Sequence, residues 1–191
     1  MIKFNTSRVP IVVSLNISKG GIPKWPVESV RVNFAGIEGD GHNHEKHWRS
    51  EQAVCLQDIE KLVQLRHEGY VLHCGTTGEN IDVCHLNVNE LPLGAVLNFS
   101  GGVQLEISKI RHPCYVLDGI HSKLKETIIG RCGMYARVLR EGILKPGETI
   151  RVVRSMENSN PTLVRSAIAA EVFAEKVIDT QGKRQYDCPK I

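Results

Sequence analysis

Residues 95–116 read AVLNFSGGVQLEISKIRHPCYV, and this stretch decides the fold class. Apolar residues alternate with polar or smaller ones over 95–99 and again over 103–107, the period of strands with one buried face. Ser100-Gly101-Gly102 lies between them and is a turn sequence, so the two runs are predicted to form an antiparallel hairpin. The second strand ends just before Cys114. The stretch therefore predicts a β-structure with a thiol at a strand exit.

The rest of the chain repeats this pattern of short strands. Further strands are predicted over 11–17, 30–34, 52–57, 81–83, 134–140 and 148–153. Helices are predicted over 58–66, 117–125 and 162–178. Alternating parallel βαβ units would require more helices between the strands. The sequence therefore predicts a mainly β protein with minor α content, a mostly antiparallel β-barrel with a few short helices at its rim.

Length and composition bound the organisation. The 191 residues fit one compact domain, predicted at 1–155, followed by a C-terminal helix and polar tail, 156–191, that pack on it or on a second subunit. No apolar run approaches the ~18 residues of a membrane helix, and the N-terminus lacks a signal-peptide pattern. The sequence thus predicts a cytoplasmic protein without a membrane partner. A net charge of +3 is too small to indicate a nucleic-acid partner.

Charge is unevenly spread, since the chain up to residue 108 is net acidic and the remainder is net basic. A solvated basic surface explains this asymmetry. The sharper alternative is a binding site for an anionic small-molecule cofactor.

Cys114 is the first candidate for chemistry. Pro113 has no amide donor, so the chain is predicted to leave the sheet there. The basic residues Lys109, Arg111 and His112 and the start of the helix predicted at 117–125 would favour the thiolate, a nucleophile and soft metal ligand. The alternative is a small apolar residue filling a loop. The other five cysteines are interpreted as buried or incidental.

Three histidines lie within eight residues, at His42, His44 and His47. Imidazoles on one side of an extended loop suit zinc or iron with an open coordination position. The alternative is the composition of a solvated loop, because the spacing matches no standard zinc motif. His42 has a second possible role, to orient a substrate or to donate a proton.

The loop 75–80, GTTGEN, carries two alternative interpretations. The amides of Thr77 and Gly78 could approach a ligand phosphate, or the glycines could simply serve turns that need positive φ. Glu79 and Asn80 are expected to brace the loop rather than to touch a substrate.

Four segments carry a family resemblance: GIEGD (36–40), TTGENI (76–81), ISKIRHPCYVL (107–117) and GMYARVLREG (133–142). In this order and spacing they resemble the MOSC family, the domain found at the C-terminus of molybdenum cofactor sulfurases. The resemblance covers roughly residues 11–153. It implies a closed or partly open β-barrel and a cleft in which a cysteine, matched here by Cys114, carries sulfur as a persulfide or ligates molybdenum.

The resemblance implies the molybdenum cofactor, molybdopterin, as ligand. The residues predicted to bind it are Asp40, His42, Thr77, Gly78, Glu79, Asn80, Arg111 and Arg137. Many family members have Gly-Asp-Arg-His where this chain has Gly39-Asp40-Gly41-His42, and Arg-Ala-Val where this chain has Gln52-Ala53-Val54. Two arginines are thus missing, and Arg111 or Arg137 would have to supply positive charge.

Three functions follow as alternatives. The favoured one is a molybdenum-cofactor-associated sulfur-handling protein, with Cys114 as persulfide carrier or molybdenum ligand and a pyridoxal-phosphate-dependent desulfurase as partner. The second is a molybdenum-dependent reductase of N-hydroxylated compounds, which needs a redox partner because the chain lacks flavin and ferredoxin motifs. The third is a non-catalytic metal-binding module that uses His42, His44 and His47.

Overall fold

The computed structural model describes residues 8–41 and 50–153, which contain eleven strands. The strands are β1 (Ile11–Ile17), β2 (Trp25–Val27), β3 (Val30–Asn33), β4 (Gly36–Ile37), β5 (Val54–Asp58), β6 (Ile81–Cys84), β7 (Val96–Phe99), β8 (Gln104–Ile110), β9 (Met134–Arg140), β10 (Gly142–Leu144) and β11 (Ile150–Val153). The helices in these ranges are α1 (Ile59–His67) and α2 (Leu124–Thr127), with single 3-10 turns at Ser50–Gln52, Val88–Glu90 and Tyr115–Gly119. The mainly β class with minor α content is confirmed.

Eight of these strands form one sheet in the order β11-β7-β8-β9-β5-β6-β1-β2, and β10-β3-β4 form a smaller one. Every described pairing is antiparallel except that of β5 with β6. The predicted hairpin is confirmed as β7 and β8, whose register places Leu97 opposite Leu105. The prediction of a mostly antiparallel protein is therefore correct.

The two ends of the large sheet approach each other without a continuous ladder. Ile11 forms one isolated bridge with Thr149. The amide of Val12 donates to the carbonyl of Glu148 at 2.9 Å, and that of Ile150 donates to the carbonyl of Pro10 at 2.8 Å. These bonds join the start of β1 to the residues around the start of β11. Since no described sheet is closed by strand pairing, the closed form of the predicted barrel is not confirmed.

The two faces of the large sheet are covered differently. On β5, Val54 and Leu56 belong to the main hydrophobic core, while the equally buried Cys55 and Gln57 project to the opposite face. α1 contacts β5 and β6, and a second apolar cluster lies around it. That cluster consists of Leu62, Leu65, Leu72, Leu117, Leu124, Ile128 and Cys132. Buried polar side chains lie on the sheet strands, such as Asn16 and Asp82, or directly before them, such as Asn80, and several of the candidate residues below are found among them.

One predicted helix is wrong. The single helix predicted over 117–125 is replaced by the 3-10 turn Tyr115–Gly119 and the one-turn α2. Leu117 and Leu124 are nevertheless buried as their spacing predicted, because both belong to the second cluster.

The tail 156–191, with the helix predicted at 162–178, lies outside the described residues. No helix in the part of the chain that is described has the length and apolarity to span a membrane.

Candidate functional site

Cys114 lies where the chain leaves β8. The amide of Arg111 donates to the carbonyl of Gly133 at 3.4 Å, a weak last contact between the β8 and β9 chains, and Pro113 has no amide to continue the pairing. Cys114 then has an extended backbone, with φ −122° and ψ 168°, directly before the 3-10 turn Tyr115–Gly119. Among the five cysteines that the structure describes, Cys114 is the exposed one. An accessible thiol at the strand exit can act as a nucleophile or a ligand.

Arg111 turns away from solvent and ties this exit to the 75–80 loop. Its Nη1 donates to Thr77 Oγ1 at 3.3 Å and to the carbonyl of Cys132 at 3.2 Å. Its Nη2 donates to the carbonyl of Thr77. One guanidinium thus joins three chain segments that are far apart in sequence. Its charge supports the local structure and has no carboxylate salt bridge among the described residues.

Two thiols and a phenol surround this guanidinium. Burial raises the pKa of Cys55 to about 11 and also raises that of Cys132, with Arg111 opposing the shift in both cases. Burial likewise raises the pKa of Tyr135 to about 12, although its hydroxyl hydrogen-bonds with Arg111. Burial lowers the pKa of Arg111 itself, but Cys55, Cys132 and Tyr135 outweigh it and raise that pKa. At neutral pH the guanidinium therefore remains a cation among protonated neighbours.

The 75–80 loop is held together by its own side chains. Glu79 is fully buried, and its two oxygens accept from the amide of Gly75 at 2.8 Å and from Thr77 Oγ1 at 2.6 Å. The amide of Gly78 donates to the carbonyl of Gly75 at 3.1 Å. Gly78 has φ +97°, and a Cβ there would lie 2.7 Å from Ile22 Cγ2. The turn needs glycine for packing, and the amide predicted to meet a phosphate is already bonded.

Asn80 and Asp40 form a second internal junction. Asn80 Oδ1 accepts from the amide of Cys55 at 3.2 Å, and its Nδ2 donates to Asp40 Oδ2 at 2.8 Å. Asp40 Oδ1 accepts from the amide of Ser18 at 3.0 Å, and Asp40 Oδ2 also forms a buried ion pair with Lys24. Both oxygens of Asp40 thus have protein partners. Asp40 and Asn80 connect β1, β5 and the loop before β6.

Arg137 lies on the outside of β9 and bonds across the sheet. Its Nη2 lies 2.8 Å from Glu106 Oε1, and the two residues are direct partners in the β8–β9 register. The pair follows from the register rather than from a ligand site. Arg137 and Arg111 are therefore both engaged within the protein, in different places.

Gly41 gives a structural reason for one missing family arginine. A Cβ at this position would lie 2.1 Å from the carbonyl oxygen of Lys19, and the amide of Gly41 donates to the carbonyl of Ser18 at 2.6 Å. No side chain fits there. His42, His44 and His47 follow directly and lie outside the described residues, so their metal site stays a prediction. In the described ranges no three metal-ligating side chains come together.

The fit of these residues to the molybdenum cofactor is uneven. The exposed sulfur of Cys114 fits a soft metal or a transferred sulfur atom. The predicted phosphate cradle does not fit, because Asp40, Glu79, Asn80, Arg111 and Arg137 already hold protein partners. Lys109 and His112 are exposed on the same segment, and Lys109 supplies a positive charge there.

Sequence reasoning missed several residues of this region. Lys24, Cys55, Cys132 and Tyr135 were not singled out, yet each lies against Asp40 or Arg111. The alternation of 134–140 could have placed Tyr135 on the outward face together with Arg137. No sequence pattern could have paired Lys24 with Asp40 or brought Thr77 to Arg111, since both contacts depend on how distant loops meet.

The family model for the MOSC domain matches residues 43–151 of this chain. A protein of Gibberella moniliformis named "Reductase" is 30% identical over 132 residues, which cover 65% of this chain and 24% of that protein. The chain thus spans about a quarter of the length of this relative. The uncharacterized protein YflK of Bacillus subtilis is 29% identical over 161 residues, with 74% of this chain and 72% of YflK covered.

Solved structures share the fold. YiiM of Geobacillus stearothermophilus superposes with a TM-score of 0.64 at 28% identity, over 76% of this chain and 75% of YiiM. YuaD of Bacillus subtilis, at 18% identity, also has a TM-score of 0.64, over 75% of this chain and 96% of its own; this second likeness concerns the fold alone. The matched segment includes Cys114 and more than half of the sequence, and the chain belongs to the MOSC domain family.

Proposed function

We propose that this protein is a molybdenum-cofactor-associated sulfur-handling protein in which Cys114 receives and presents a sulfur atom. The observation that carries the proposal is the exposure of Cys114 on a strand exit that Arg111 anchors to the 75–80 loop. A thiol that exchanges sulfur with another protein must be reachable from outside. The anchored exit supplies a fixed position for such a thiol.

The transfer step needs only a thiolate and a persulfide donor. The Cys114 thiolate attacks the outer sulfur of a donor persulfide, the sulfur–sulfur bond of the donor breaks, and the donor leaves as a thiolate. Cys114 then carries the transferred sulfur as its own persulfide. The exposed Lys109 supplies a positive charge on the same segment. A pyridoxal-phosphate-dependent desulfurase in the cytoplasm is the proposed donor.

The described geometry supports the carrier role better than a tight cofactor site. Arg111 and Arg137, the two arginines predicted to hold a phosphate, bond to Thr77 and Glu106 instead. A carrier needs no such cradle, because its partner brings the donor or the acceptor. When bound, the molybdenum cofactor would supply a metal centre as the acceptor of the sulfur.

A reductase of N-hydroxylated compounds is the second candidate, and one observation favours it. The relative from Gibberella moniliformis carries the name "Reductase". In this role Cys114 would ligate the metal, and a separate redox partner would supply electrons. The soft sulfur of Cys114 fits this use as well as it fits the first.

The decisive experiment combines sulfur trapping with metal analysis. The protein is incubated with a cysteine desulfurase and cysteine, quenched with an alkylating reagent, and mapped by mass spectrometry. We expect an adduct of one extra sulfur on Cys114, none in Cys114→Ser, and an unchanged adduct in Cys55→Ser. An unmodified Cys114 peptide would contradict the carrier role.

Molybdenum and pterin retained after expression with molybdate, and lost in Cys114→Ser, would instead support the reductase. Zinc or iron that depends on His44 but not on Cys114 would support the metal-binding module.

The fold proposal accompanies the functional one. We infer that the contacts between β1 and the residues around the start of β11, which include the Ile11–Thr149 bridge, hold the sheet in the partly open barrel that the family resemblance implies.

A further inference from the structure

Cys132 lies directly beside the exit that carries Cys114. The antiparallel register of β8 and β9 pairs Ile110 with Met134, and the Arg111 amide extends it by donating to the carbonyl of Gly133 at 3.4 Å. Arg111 Nη1 also donates to the carbonyl of Cys132 at 3.2 Å. The residues just before Cys114 are therefore bonded to Cys132 and its neighbour.

Packing gives a second, independent connection. Cys132 is 1% exposed and belongs to the apolar cluster that also contains Leu117. The amide of Leu117 donates to the carbonyl of Cys114 at 3.2 Å, so that both residues belong to one turn. In this turn, Leu117 packs in the same cluster as Cys132, and Cys114 at its start is exposed.

Burial disfavours a thiolate at Cys132, and the charge of Arg111 counteracts this in part. Burial raises the pKa of Cys132, and the charge of Cys114 contributes in the same direction while Arg111 opposes it. An accessible cysteine with a second cysteine in the neighbouring segment is the arrangement of an attacking and a resolving thiol.

We propose that Cys132 is the resolving thiol of Cys114, so that a sulfur group attached to Cys114 is displaced by Cys132 with formation of a Cys114–Cys132 disulfide. The group attached to Cys114 is either a low-molecular-weight thiol, transferred from the disulfide of that thiol, or the outer sulfur of a persulfide. The exchange needs no bound metal or cofactor.

The chemistry balances for both groups. The Cys114 thiolate attacks a low-molecular-weight disulfide, and one thiolate leaves. Cys132 then loses its proton, its sulfur attacks Sγ of Cys114, and the second thiolate leaves and takes up a proton. The small disulfide is reduced to two thiols while the protein dithiol is oxidised. If Cys114 carries a persulfide, the same attack by Cys132 expels hydrosulfide. This persulfide branch depends on the proposed function, whereas the disulfide branch does not.

The remaining described thiols are less suited to this role. Cys55 lies within β5, and its carbonyl accepts from the amide of Asn80. Cys74 hydrogen-bonds with Asp82, and Cys84 ends β6 opposite Ile11. None of these three lies on β8, on β9 or on the segment that connects them, whereas Cys132 does. The register therefore selects Cys132.

The test uses the full chain with Cys188→Ser as background, which removes the cysteine outside the described residues. The native protein is treated with oxidised glutathione, quenched with acid and an alkylating reagent, and mapped by mass spectrometry. We expect a Cys114–Cys132 disulfide, with Cys55 alkylated only after unfolding. In Cys132→Ser the glutathione adduct should remain on Cys114, and in Cys55→Ser the disulfide should form as in the parent. A stable glutathione adduct on Cys114 of the parent protein would overturn the proposal.

A second arm separates this inference from the proposed function. After treatment with a desulfurase and cysteine, the parent should first carry the persulfide on Cys114 and should then release hydrosulfide on longer incubation. Cys132→Ser should retain the persulfide and release no hydrosulfide. If no persulfide forms in either protein, the carrier function fails while the glutathione result still decides the disulfide. If Cys132→Ser folds poorly, the disulfide map of the parent protein alone remains decisive.

Discussion

The 75–80 loop and the 111–116 segment both carry family motifs, but the structure treats them in opposite ways. In the loop, Thr77, Glu79 and Asn80 are buried and bond to one another or to neighbouring strands. In the segment, His112 and Cys114 are exposed, and Arg111 alone reaches inward to Thr77. The polar side chains of the 75–80 loop hydrogen-bond within the protein, whereas His112 and Cys114 of the 111–116 segment are exposed to solvent.

This difference separates two reasons why a motif can contain polar residues. A buried polar group must find a partner or destabilise the fold, so polar loops at a sheet edge often brace each other. A reactive group must remain accessible. The loop therefore has the properties of a support and the segment those of a reaction site, with Arg111 as the connection between them. Substitutions in the two regions should accordingly affect different measurements.

The largest expected effect on stability comes from the loop. Glu79→Ala leaves the amide of Gly75 and the hydroxyl of Thr77 buried without their acceptor. Each unpaired group costs about 1–3 kcal/mol, so we expect a loss of roughly 2–6 kcal/mol of unfolding free energy, measured by urea denaturation. The matched control is Glu38→Ala, which removes a carboxylate 64% exposed and 3.5 Å from Arg31. Similar losses in both variants would break the comparison.

The buried carboxyl of Asp58 should make the stability of the protein depend on pH. Burial first, and then the charge of Glu60, raise the pKa of Asp58 from 3.8 to about 7. The folded protein thus holds a proton that the unfolded chain releases, and wild-type stability should fall as pH rises from about 4 to about 7.

Asp58→Asn removes this titration. Its stability relative to the wild type should rise from near zero at pH 3 to at most roughly 4 kcal/mol at pH 8. Thermal melts of both proteins across this range measure the difference, and parallel pH profiles would refute the assignment to Asp58.

Strand prediction succeeded where the alternation was long enough to be unambiguous. β1 and the β7–β8 hairpin follow from their two-residue period, and α1 from its apolar stripe with Asp58 before it and Gly69 after it. β2, β4 and β10 have only two or three residues and form because neighbouring strands pair with them. A pattern of such length contains no period to detect.

The site was predictable in its position but less so in its contacts. Pro113 alone accounts for the strand exit at Cys114, because the missing amide is a local property. The inward turn of Arg111 depends on Thr77, 34 residues earlier in the chain. The partner of Arg137 depends on the register of β8 with β9. Long-range contacts of this kind come from the assembled fold and leave no local signal.

Arg137→Gln should have a smaller effect than either buried substitution. The side chain is 49% exposed and its ion pair with Glu106 is a surface pair, which contributes about 0–1 kcal/mol. We expect Glu106→Gln to cause the same small loss and the double variant to add little, as measured by urea denaturation. A loss above this range would mean that Arg137 supports more than its cross-strand partner.

The smallest effect on stability should come from the residue with the largest effect on chemistry. Cys114→Ser changes one exposed atom outside both apolar clusters, so the unfolding free energy should stay within about 0.5 kcal/mol of the parent. In a Cys188→Ser background, native alkylation kinetics should lose their fast phase in this variant, because Cys55, Cys84 and Cys132 are buried and the half-buried Cys74 hydrogen-bonds with Asp82. Cys55→Ser should keep the fast phase. A strongly destabilised Cys114→Ser, or a fast phase that survives it, would place the 111–116 segment with the structural loop and erase the distinction between the two regions.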